Sequence, residues 1–132
     1  MALLPARKTL SGSYGNYIRV GAATSGTVIH TMPAHTGSTS RLVDEVWLYA
    51  SNNSTGSMVL TVMFCSSSGI DSSFAYNQVK VVLEPRSGET KVLTGIPLMV
   101  SGSTNVMQVR AHAITKNVVA VHGFVDRMVF AV

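Results

Sequence analysis

Charge is scarce in this chain: Asp, Glu, Lys and Arg make up 12% of its 132 residues, against about 25% in an ordinary globular domain. A surface so poor in charge is weakly protected against association. Ser and Thr supply 28 positions in its place, so the surface is mostly uncharged and polar, which points to a protein covered by partners or by copies of itself. Cysteine occurs once, at Cys65, which excludes an intrachain disulfide framework. It lies in the strand-like run Met58-Val-Leu-Thr-Val-Met-Phe-Cys65 with no neighbouring cation to activate it, so it reads as a small buried hydrophobe.

Long apolar runs are missing too. No segment approaches the ~18 residues of a membrane-spanning helix, so no membrane partner is expected. The start, Met1-Ala-Leu-Leu-Pro-Ala-Arg-Lys8, has too short an apolar stretch for a signal peptide and places its charges after it. The expectation is a protein made in the cytoplasm that stays soluble or leaves with an assembly. Two overlapping sequons, at Asn52 and Asn53, carry no weight without a secretory route. The formal charge is +4, but the ten basic residues stand singly or at most as the pair Arg7-Lys8. A nucleic-acid binder clusters them on one face among aromatics, so direct nucleic-acid binding is not expected.

What the chain does have is rhythm. Short Val, Ile and Met-rich runs, each closed by Ser, Thr, Gly or Asn, repeat from about Tyr17 to Val129, the pattern of a sandwich or barrel of short strands. Strands are predicted near 17–23, 26–32, 41–51, 57–66, 77–84, 89–93, 96–100, 105–115 and 117–130, with no helix. The fold expected is one all-β domain at 17–132, an antiparallel β-sandwich of jelly-roll type; strand count leaves other Greek-key orders open. Residues 1–16 read as an extended arm, in which Leu3 and Leu4 precede Pro5, Arg7 and Lys8. The arm either hooks a neighbouring subunit or edges the chain's own sheet.

Three local patterns give sharper expectations. The polar loop Ser51–Ser57 predicts that Arg41–Ala50 and Met58–Phe64 pair as a hairpin. In Val106–Ile114, Met107, Val109, Ala111 and Ala113 share one face and Gln108, Arg110 and His112 the other, the period of a half-buried strand. In Val118–Phe130 the set Val119, Val121, Gly123, Val125, Val129 is apolar and broken by Arg127. A tight turn at Thr115–Asn117 predicts a second hairpin, with Arg110 and His112 beside His122 on one sheet face. Along 46–50, Trp47 and Tyr49 alternate with Val46, Leu48 and Ala50, so one set is core and the other faces a second layer or a partner.

Catalytic chemistry finds no motif. His30, His35, His112 and His122 lack metal-ligand spacing. The serines lack a nucleophile elbow. Of the six acids, Asp44 and Glu45 are adjacent and read as a solvated edge or as ion-pair partners of Arg41 or Lys91. The chain is therefore not expected to be an enzyme, and no cofactor or metal is implied.

The succession Val46-Trp-Leu-Tyr-Ala-Ser-Asn52, Pro85-Arg-Ser-Gly88, Leu93-Thr-Gly-Ile-Pro-Leu98, Val106-Met-Gln-Val-Arg-Ala111 and Val121-His-Gly-Phe-Val-Asp-Arg127 resembles small virion structural proteins of tailed bacteriophages, in particular the capsid decoration (cement) proteins. The likeness spans residues 27–130 and rests on a diffuse run of strand and turn signatures. It implies a compact β-sandwich, often trimeric, on the outer capsid surface, where it ties neighbouring copies of the major capsid protein together after head expansion. Localisation in the virion follows, after synthesis in the bacterial cytoplasm. The partner-contact residues expected are Leu3, Leu4, Arg7, Lys8, Trp47, Tyr49, Arg110 and His122. The competing readings are a tail, head-completion or fibre-associated virion protein, a glycan- or receptor-binding β-module, and a small host-encoded β-protein.

Overall fold

The computed structural model describes residues 6–13, 15–33, 35, 39–66, 78–86, 88–100 and 107–131. They form nine strands: β1 (Ala6–Thr9), β2 (Ile18–Arg19), β3 (Thr27–Thr31), β4 (Ser40–Asn52), β5 (Met58–Ser66), β6 (Gln78–Leu83), β7 (Thr90–Val100), β8 (Met107–Ala113) and β9 (Val119–Ala131). Two antiparallel sheets result. One has the order β1-β9-β4-β7 with β2 also on β9, and the other the order β3-β8-β5-β6. The all-β expectation holds at this level, and two sheets share one apolar core.

Alternation builds that core. Leu42, Val46, Leu48 and Ala50 of β4 and Val119, Val121 and Val125 of β9 point inward from the first sheet, meeting Leu60 and Val62 of β5 and Val109, Ala111 and Ala113 of β8 from the second. These β8 residues are the apolar face expected from the sequence. The longest pairing runs from Ser40 opposite Ala131 to Asn52 opposite Val119. It makes β4 and β9 the spine of the first sheet.

Both predicted hairpins are corrected by the sheet order. β4 and β5 lie in different sheets, as do β8 and β9, so Ser51–Ser57 and Thr115–Asn117 are corners that carry the chain across the sandwich. Buried Asn52 organises the first corner: its Nδ2 donates to the carbonyls of Gly56 (2.8 Å) and Leu83 (3.0 Å), and its Oδ1 accepts from Ser54 N (3.0 Å) and Ser54 Oγ (2.7 Å). In the second, Asn117 takes φ 64° and donates its N–H to Val20 O. A polar run marks a reversal of direction, and it does so equally for a hairpin and a sheet-crossing corner. The polar strip expected from Arg110, His112 and His122 is lost with the second hairpin, because β8 and β9 present their outer faces on opposite sides.

The two predicted strands at 89–93 and 96–100 are one, β7, and its ladder with β4 shifts register on both sides of Leu48. Gly95 sits at one shift with φ 77° beneath the Trp47 ring, a bulge position where glycine's left-handed backbone is needed. At the start of the chain, Ala6–Thr9 pairs with Phe124–Arg127 of β9, so this part of the predicted arm edges the chain's own sheet. Leu3 and Leu4 lie outside the described residues.

Candidate functional site

Two polar clusters stand out, one inside the sandwich and one on its surface. The inner one starts from a break in pattern: Asp44 and Arg127 occupy inward positions among the apolar core residues of β4 and β9, and the ladder places them opposite each other. Arg127 grips the Asp44 carboxylate with two parallel bonds, Nε to Oδ1 at 2.8 Å and Nη2 to Oδ2 at 2.9 Å, the strong bidentate geometry. From the facing sheet, His30 reaches the same Oδ2 at 2.8 Å. Its Nδ1 accepts the Ser11 N–H at 3.1 Å, which leaves the proton on Nε2, donated to Asp44. Asp44 is fully buried and His30 1% exposed. Burial pushes the Asp44 carboxyl up, but the bonds from Arg127 and His30 outweigh it and hold the group below the usual carboxylate range. Asp44 is thus a buried tie between sheets, which corrects the solvated edge expected from its sequence neighbours.

Ser11, His30 and Asp44 bring together the residue types of a hydrolytic triad, but the connections differ. Both His30 nitrogens are engaged, one by Asp44 and one by a backbone N–H, and the Ser11 hydroxyl accepts the Thr31 N–H at 2.7 Å. No imidazole nitrogen faces Ser11 Oγ as a base, so the arrangement orients strands and does not activate a nucleophile. Among the described residues, no three His, Cys, Asp or Glu side chains gather in a way that would hold a metal ion. Cys65 is buried with Sγ 3.8 Å from Gln108 O.

The surface cluster lies on the outer face of the first sheet. Trp47 and Tyr49 are the outward set of β4, opposite Phe124 and His122 of β9. Trp47 stacks on Phe124 with ring centroids 6.0 Å apart. The Arg7 guanidinium sits 3.8 Å from the Phe124 centroid while its Nε donates to Asp126 at 3.1 Å; this bond holds the Arg7 group above its usual range. Further along, His122 stacks on Tyr17 at 4.5 Å and meets Tyr49 at 5.6 Å. The Tyr17 hydroxyl donates to Glu89 Oε1 at 2.8 Å, and His122 Nε2 lies 3.0 Å from the same oxygen. The hydrogen bond to Glu89 raises the Tyr17 phenol above its ordinary value. Two nitrogens of the cluster, Trp47 Nε1 and His122 Nδ1, are buried without a hydrogen-bond partner among the described residues.

Of the eight expected contact residues, Arg7, Trp47, Tyr49 and His122 meet on this one face. Lys8 lies elsewhere, beside a hollow lined by Ser11, His30 and Arg127. Arg110 is on the second sheet, spent on Gln108 Oε1 (3.0 Å) and Ser25 O (3.3 Å). Sequence reading missed Phe124, Tyr17 and Glu89 on the surface and the Asp44–Arg127–His30 tie within. Arg127 carried a signal, as the one charge in an apolar set; Tyr17 and Glu89, 72 residues apart, carried none. No family model matches the chain, and no curated protein matches it.

Proposed function

We propose that this chain is a structural protein of a tailed-bacteriophage virion, a decoration protein that assembles as a trimer on the outer shell and braces the expanded head. The observation that carries the reading is the strand order. With β1 set aside and β2 taken beside β9, the two sheets read 2-9-4-7 and 3-8-5-6, an interleaved order in which nearly every connection crosses from one sheet to the other, and this supports reading the sandwich as a jelly roll. Viral capsid and lectin domains use that architecture. The crossing corners lace the two layers together, so a load on one sheet is carried by both.

The surface supports an assembly role. Tyr17, Val82 and Ile114 are 58%, 61% and 77% exposed, and eight of the ten cations, all except Arg110 and Arg127, are exposed and spread over both sheets. A thinly and evenly basic surface suits broad contact with an acidic shell, and the Trp47–Phe124–Arg7 patch has the aromatic and arginine composition of interface cores.

Light scattering of the purified protein, followed by co-sedimentation with expanded phage shells, tests the proposal. A trimer that loads in fixed stoichiometry and raises the heat resistance of the shells is the expected result. A monomer that stays in the supernatant while the shells pellet overturns it.

A further inference from the structure

The Tyr17 end of the outer-face cluster opens onto a hollow of about 530 Å³ lined by Tyr17, Arg19, Ser51, Asn53 and Glu89, with Gly88 and Ala120 completing its wall. We propose that this hollow is a binding site for an uncharged saccharide, with the Tyr17 ring as the platform for a pyranose. The volume falls within the ~300–1,000 Å³ of small-ligand sites.

Tyr17 is 58% exposed although His122 covers one face of its ring, so the opposite face is open to the hollow. An aromatic face is electron-rich and matches the polarised C–H face of a sugar ring. The ring is also held before any ligand arrives: its hydroxyl is tied to Glu89 and its back is braced by the His122–Tyr49 stack. A platform fixed in advance loses little freedom on binding.

The polar groups around it suit hydroxyls. Both donors to Glu89 use Oε1, which leaves Oε2 without a partner among the described residues as an acceptor for sugar hydroxyls. Arg19 has no partner among the described residues and supplies donors, and Asn53 and Ser51 supply both kinds of group. One carboxylate and one guanidinium leave the hollow without net charge. An anionic ligand would meet Glu89, so the match is to a neutral saccharide. The hollow is formed within one chain and does not require the protein to be a shell component.

The test uses the full chain on an array of immobilised neutral hexose and N-acetylhexosamine oligosaccharides alongside sialylated and sulfated ones. Saturable binding to neutral members is expected, with a Kd in roughly the millimolar range usual for an open site. Tyr17→Ala and Glu89→Gln, each checked for an unchanged far-UV spectrum, are expected to weaken it by about tenfold or more. Lys80→Ala, an exposed position on the other sheet, is expected to leave it unchanged. No binding to any neutral saccharide, a preference for the charged ones, full affinity in either hollow variant, or loss of affinity in Lys80→Ala each overturns the assignment.

Discussion

Replacing Arg127 with Met tests the buried tie most directly. The change keeps an unbranched stem but removes the guanidinium, and leaves Asp44, fully buried, with only the His30 bond. Removing one partner of a buried ion pair costs about 3–5 kcal/mol, because the remaining charge stays desolvated and uncompensated. The Arg127 side chain is 26% exposed, and water reaching the site places the loss at the lower end, ~3 kcal/mol. For a domain of this size that is a fall of about 10 °C in Tm. The pH dependence carries a sharper signature. In the parent protein the Asp44 carboxyl lies below its ordinary value; its stabilising effect is therefore complete above the unfolded value of about pH 4 and is lost as pH falls through the lower folded value. Without Arg127 burial prevails and the carboxyl titrates above its unfolded value, so the variant loses stability as pH rises. Urea denaturation at pH 7 and pH 4 reads both effects: the gap between parent and variant is expected to be widest at pH 7 and to narrow at pH 4. A double cycle with Asp44→Asn isolates the pair, with a coupling of at least ~1 kcal/mol expected. A gap below ~0.5 kcal/mol at pH 7, or one of equal size at both pH values, refutes the reasoning.

Two further substitutions probe the frame that holds both clusters. A Cβ at Gly123 would run into the Trp47 carbonyl oxygen and crowd Leu48 Cα, backbone atoms that cannot move without parting β9 from β4, so Gly123→Ala is expected to cost several kcal/mol and to abolish cooperative thermal unfolding at the parent Tm; a normal melt would contradict it. Asn52→Ala strips the first corner of its amide and leaves buried partners unsatisfied, an expected loss of ~2–3 kcal/mol in chemical denaturation, and a loss below ~0.5 kcal/mol would mean that water replaces the amide.

Much of the fold was legible because it depends on local pattern. The β8 set Val109, Ala111 and Ala113, and the β9 set Val119, Val121 and Val125, alternate with period two, and a strand with one buried face needs no more than that to be recognised. Trp47 and Tyr49 were likewise readable as the complement of Val46, Leu48 and Ala50, though which set faced outward was not. The hairpin errors show where local pattern stops. Ser51–Ser57 and Thr115–Asn117 say that the chain turns; whether it returns along the same sheet or crosses to the other depends on which distant strand takes the edge beside it.

The sequence by itself determined an all-β chain with a continuous apolar core and a surface short of charge, since strand periodicity and composition are properties of neighbours along the chain. Only the tertiary structure decided the pairing of Asp44 with Arg127 and His30, the meeting of Tyr17 with Glu89, and the gathering of Arg7, Trp47, Tyr49 and His122 on one face. Most of these contacts join residues far apart in the sequence, and their register follows from how the whole set of strands shares out its hydrogen bonds and buries its apolar faces at once.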